Sequence, residues 1–247
     1  MRVTTIMRPS ARRRAGRAAS RPRNGPGGLE PLLRAAELVD AGTGRHLNRV
    51  ALYAGLTARA LGLEDSRCEL ISSACRLHDI GKLGVPGEIL RKPGPLSAPE
   101  RRAMERHSAI GHDILSDTGS ELLELAAEVA LTHHEWFDGR GYPNALRGDE
   151  IPLVGRIAAV ADAFDALTSD RVYRPAVSRS EAIRLLRAAS GSQFDPAVVD
   201  AFLESVETTP PVRETTSASP KRWIPSQLEG SGARNGASAL PPWSSRF

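Results

Sequence analysis

Apolar residues recur at intervals of three and four in block after block of this chain. One block is Leu47, Val50, Ala51, Ala54, Ala58 and Leu61; a second is Ile71, Ala74 and Cys75. A third is Ala103, Met104, Gly111, Ile114 and Leu115, and a fourth is Leu122, Leu123, Ala126, Val129 and Ala130. That period is the signature of amphipathic helices, and alternating strand patterns are nearly absent. Ser97 with Glu100 makes a capping box, and Pro99 suits the first turn of the helix it opens. Gly-Pro punctuation at 84–87 and 93–95 separates this helix from the preceding one. The pattern predicts an all-α helical bundle with one long ordered loop over 135–153.

Composition changes this picture mainly at the ends. Residues 1–29 are rich in Arg, Ser, Pro and Gly, and residues 206–247 in Pro, Ser, Thr and Gly, so both are expected to be disordered tails around a domain at 30–205. The net charge of +4 is misleading: eight of the 33 basic residues precede Leu29, leaving 25 against 29 acids in the remainder. The body is mildly acidic, and the basic tail gives no reason to expect specific nucleic-acid binding. No run approaches the roughly 18 apolar residues of a membrane span, and no apolar segment follows the Arg-rich start. A cytoplasmic protein without signal or anchor is expected. Cys68 and Cys75, seven apart on one predicted helix, read as reduced core thiols.

The polar residues that interrupt the apolar stripes carry the chemistry. Of the six histidines, His46, His78, His107, His133 and His134 fall on or beside the buried faces of their helices, whereas His112, near Ser108 and Ser116, falls on an outer face. One buried imidazole is most simply a hydrogen-bonded core residue. Five converging with Asp79 and Asp162 would each need a partner, since an unsatisfied buried polar group costs about 1–3 kcal/mol. Metal coordination removes that cost for all of them, and mixed imidazole and carboxylate donors suit Fe, Mn or Zn. Asp79 follows His78 by about 100° of helix and can serve two sides of one metal or bridge two. Lys82, four residues past His78, reads either as an exposed amine beyond a helix end or as a cation aimed at a bound anion.

These residues resemble the HD-GYP branch of the HD-domain phosphohydrolases. "RLHDIGKLGVP" (76–86) and "HHEWFDGRGYP" (133–143) carry the likeness, and "AVADAFDALTSDRVYR" (159–174) and "GSQFDP" (191–196) follow in the family's order. The resemblance implies an HD-type helical domain that hydrolyses cyclic di-GMP at a centre of two or three metals, usually iron or manganese. His46, His78, Asp79, His107, His133, His134 and Asp162 would be the ligands, with Asp79 bridging. Lys82 would meet the scissile phosphate, Gly141, Tyr142 and Pro143 would frame the substrate, and Arg171 and Arg174 match positions that meet its phosphates or bases. Three-metal relatives carry glutamate four residues before the first histidine, where this chain has Gly42. Two divalent ions and linear pGpG as product, with GMP beyond it, are therefore expected. Gly87, where the family often has an acid, and Arg140 depart from the pattern in smaller ways. Asp165 reads as a further catalytic carboxylate or as a structural ion pair, and Glu135 and Asp138 as supports for the histidines or as surface acids. Tyr142 reads as stacking on guanine or packing the loop. Two rivals stand beside this reading. One is a regulator that binds the dinucleotide, or a diguanylate cyclase through the GYP loop, without turnover. The other is an HD phosphohydrolase for nucleotides or alarmones.

Overall fold

The computed structural model describes residues 29–39, 44–170 and 175–208. Among them are ten α-helices and no strand beyond two isolated bridges. Residues 1–28 and 209–247 of the expected tails, Gly42, Arg171 and Arg174 lie outside the described residues, whereas 206–208, expected in the tail, continue the last helix. The helices are α1 (Glu30–Val39), α2 (Arg45–Ala60), α3 (Asp65–Cys75), α4 (Gly87–Leu90), α5 (Ala98–Glu105), α6 (His107–Leu115), α7 (Glu121–Thr132), α8 (Leu153–Thr168), α9 (Arg179–Ala189) and α10 (Pro196–Thr208). Short 3-10 turns occupy Ile80–Gly84 and Gly148–Glu150.

The core follows from the stripes. α2 buries Leu47, Val50, Ala51, Tyr53, Ala54 and Ala58 against α3, α8 and α10. α8 is buried nearly all round, as expected of a helix whose apolar residues run continuously rather than along one face. Tyr53, Phe164 and Phe202 meet edge to face with centroids 4.9–5.9 Å apart, locking α2, α8 and α10 together. Each such ring contributes roughly 2–3 kcal/mol through burial. The predicted capping box opens α5: the Ser97 backbone N–H donates to Glu100 over 2.7 Å. Cys68 and Cys75 are buried free thiols on α3.

Two helices are shorter than their periodicity suggested. α3 ends at Cys75, so His78 and Asp79 stand on a turn leading into the 3-10 segment rather than on a continuing helix. The stripe from Ala103 to Leu115 is interrupted at Arg106, which leaves His107 as the first residue of α6. A close approach of Gly81 accompanies this break. A Cβ there would fall 1.9 Å from the His107 carbonyl oxygen and 2.4 Å from the Gly111 nitrogen. Only glycine permits this approach, and it sets the start of α6 beside Asp79.

Candidate metal centre

The structure brings all seven predicted ligand residues to one place. They form two groups, Asp79, His107, His133 and His134 in one and His46, His78 and Asp162 in the other. Within each group the donor atoms lie within 4.8 Å of one another. Asp79 stands between them. Its Oδ1 is 3.4 Å from His107 Nε2 and 3.9 Å from His133 Nε2, while Oδ2 is 3.3 Å from His78 Nε2. In the second group Asp162 Oδ1 lies 3.5 Å from His46 Nε2 and 3.9 Å from His78 Nε2.

Backbone geometry fixes which nitrogen faces inward. His78, His107 and His133 donate from Nδ1 to the carbonyls of Cys75 (2.9 Å), Met104 (2.8 Å) and Val129 (3.0 Å). That places a proton on Nδ1 and turns each Nε2 toward the centre, with a free lone pair on His107 and His133. His107 Nε2 and His133 Nε2 then face each other at 3.5 Å. Two lone pairs at that distance repel one another, and a cation between or beside them would remove that repulsion. His78 Nε2 and Asp79 Oδ1 are buried without a hydrogen-bond partner. On these grounds the residues fit divalent metal, with a donor set that suits Fe, Mn or Zn.

Electrostatics prepare the site. Burial holds His133 and His134 well below the usual imidazole range and lowers His107; the neighbouring imidazoles add to this for all three. They are neutral, ligand-competent donors at pH 7. His78 behaves oppositely: burial opposes protonation, but the neighbouring Asp79 carboxylate, with Asp162, pushes it up to about 9. Asp79 is held well below its usual range despite burial, chiefly by Lys82 and His78.

The other predicted residues have definite places. Lys82 is no exposed amine, because its ammonium sits on Asp79 Oδ2 with only 21% of the side chain accessible. His112, set apart as ordinary surface, is 39% accessible and belongs to neither group. Tyr142 stacks on His134 at 4.7 Å and 28°. Gly141 allows that fold, since a Cβ there would meet the Trp136 nitrogen at 2.2 Å. Gly87 begins α4, and exposed Arg140 pairs with Asp138 and lies 5.5 Å over the Trp136 ring.

Glu135 and Asp165 both take structural roles. Glu135 does not hold the ligand histidines; its buried carboxylate accepts from the Asn144 and Leu146 N–H groups at 2.7 and 3.0 Å, tying the loop to itself. Asp165 takes the structural reading. It accepts from His46 Nδ1 at 2.7 Å and from Arg49 Nε at 2.5 Å, while Arg49 also reaches Ser169 at 2.8 Å. Arg49 was missed in the sequence, although its place one turn beyond His46 on α2 was the available signal.

The chain belongs to the HD-domain family, in its HD-GYP branch: the HD-domain family model matches residues 32–198. It is 46% identical to a cyclic di-GMP phosphodiesterase of Thermotoga maritima over 71% of this chain and 48% of that one. It is 43% identical to 3'3'-cGAMP-specific phosphodiesterase 2 of Vibrio cholerae over 70% of this chain and 33% of that one. The crystal structure of a Vibrio cholerae cyclic GMP-AMP-specific phosphodiesterase shares the fold, with a TM-score of 0.56 at 20% identity over 72% of this chain and 47% of that one. The chain spans about half the length, or less, of the curated relatives it matches. Among the described residues no helix is long and apolar enough to cross a membrane.

Proposed function

We propose that residues 30–205 form a divalent-metal-dependent phosphodiesterase that opens cyclic di-GMP to linear pGpG, with further cleavage to GMP as a slower step. The observation that carries this reading is Asp79, whose two oxygens face different groups of ligands. A shared carboxylate is what a two-ion centre requires. His46, His78 and Asp162 would hold one ion and His107, His133 and His134 the other, with Asp79 common to both and iron or manganese the favoured metals. When bound, such ions acidify water and neutralise charge on a phosphodiester.

The chain's own groups supply the rest. Asp79 keeps the two ligand groups in register. Lys82, beside Asp79, provides the positive charge that meets a non-bridging phosphate oxygen. Tyr142, its phenol kept protonated by burial and by the Asp79 and Glu105 charges, presents a neutral hydroxyl at the edge of the centre. Gly141 and Pro143 shape that edge, and Arg171 and Arg174 are proposed as contacts to the dinucleotide.

The names of the relatives support cyclic dinucleotides as the substrate class, and cyclic GMP-AMP is the specific competitor. A substrate panel of cyclic di-GMP, 3'3'-cGAMP and guanosine tetraphosphate separates the possibilities. Preferential conversion of cyclic di-GMP to pGpG is expected. Preference for either other compound contradicts the substrate assignment, and metal-loaded protein that binds cyclic di-GMP without cleaving it is the regulatory module instead.

A further inference from the structure

The motif GSQFDP (191–196) contributes no metal donor, yet the structure gives it a place beside the loop that does border the centre. The turn is rigid: Gly191 sits at φ 78°, the Ser192, Gln193 and Phe194 N–H groups all donate to the Ala189 carbonyl, and Phe194 is buried. Its outer backbone edge receives the loop. Phe137 N–H donates to the Gln193 carbonyl at 3.1 Å and Asp138 N–H to the Ser192 carbonyl at 2.9 Å. At the loop's far end, Arg156 Nη1 of α8 donates to Asp149 at 2.8 Å and to Asp195 of the motif at 2.7 Å. The other Asp195 oxygen accepts from the Ala197 N–H at the start of α10.

The loop is thus gripped near both ends. Between the grips it closes on itself, through Gly148 N–H to the Phe137 carbonyl at 2.9 Å and through Glu135. A unit held this way transmits its attachment to Tyr142, which is stacked on His134. We infer that the Arg156–Asp195 pair and the 192–193 backbone edge are a dock that positions the Tyr142 loop for a cyclic dinucleotide, while leaving the metal centre itself untouched. This rests on the proposed function. Arg156 is a positioning residue: it meets neither substrate nor metal, and acts through the loop.

The test uses the full chain loaded with Mn(II), in a background where Trp223 and Trp243 are replaced by Phe so that Trp136 reports the loop. Arg156→Met removes the grip, and Asp195→Asn weakens it while keeping an oxygen for Ala197. For both variants the KM for cyclic di-GMP should rise by about tenfold, the scale of a displaced binding element. Hydrolysis of bis(p-nitrophenyl) phosphate, which is too small to need the loop, and metal content should stay within about twofold. Acrylamide should quench Trp136 more strongly. Parallel losses on both substrates, or unchanged KM and quenching, overturn the dock. If the parent cleaves the small diester but not cyclic di-GMP, the substrate reading fails, and Trp136 quenching alone decides the dock. Should Arg156→Met not fold, Asp195→Asn decides.

Discussion

The two candidate ligand groups on either side of Asp79 are held in different ways. In the four-residue group, His107 and His133 are oriented by main-chain carbonyls, and His107 is delivered by the Gly81 crossing. In the three-residue group His78 is likewise held by a carbonyl, that of Cys75, but His46 is oriented by a side chain, Asp165, which is itself held by Arg49. The orientation of His107 and His133 therefore depends on main-chain atoms and on the Gly81 crossing rather than on a neighbouring side chain. The three-residue group can be loosened without changing any ligand, so single replacements should separate the two groups.

The largest effect is expected from Asp79→Ala, which removes the shared carboxylate. Bound metal should fall to background in both groups, with turnover lost, as measured by elemental analysis and product release. A protein that keeps half its metal would show that the groups are independent. Next, His46→Ala should halve the metal content, whereas Lys82→Met should leave it intact and lower kcat by about 10²- to 10³-fold, the effect of removing one preorganised charge donor. Asp165→Asn should weaken metal binding about 10- to 100-fold at the three-residue group alone, visible as one changed phase in a two-phase titration.

A smaller, pH-dependent effect follows from His78. Its raised value gives the metal-free protein a stabilising contribution that is full below pH 6.5 and is lost as pH rises through about 9. Metal competes for the same nitrogen, so metal affinity should change in the opposite sense and strengthen from pH 7 to 9, with proton release on loading. Calorimetry in buffers of different ionisation enthalpy measures that proton. His112→Ala should be the mildest change, within about 0.5 kcal/mol of the parent in denaturant unfolding.

Much of this was legible in the sequence because buried imidazoles interrupting apolar stripes are costly and conspicuous. His46, His107 and His133 could be placed from their stripes alone. The breaks after Cys75 and at Arg106 were not legible, because they accompany a contact between Gly81 and the start of α6, which are distant in sequence. α8 shows why periodicity fails when a helix is buried on every side: its apolar run has no polar face to mark the turn. Glu135 and Asp165 could be singled out but not assigned, since their partners, the 144–146 backbone and the His46–Arg49 pair, meet them only in the folded chain.

The most direct test combines stoichiometry with product. Purified full chain is loaded anaerobically with Fe(II) or Mn(II), counted for metal, and incubated with cyclic di-GMP while the Asp79→Ala protein is run beside it. The expected result is two ions per chain and accumulating pGpG for the parent, with neither in the variant. Fully loaded parent that leaves cyclic di-GMP intact, or a variant that matches the parent in both metal and product, would contradict the account.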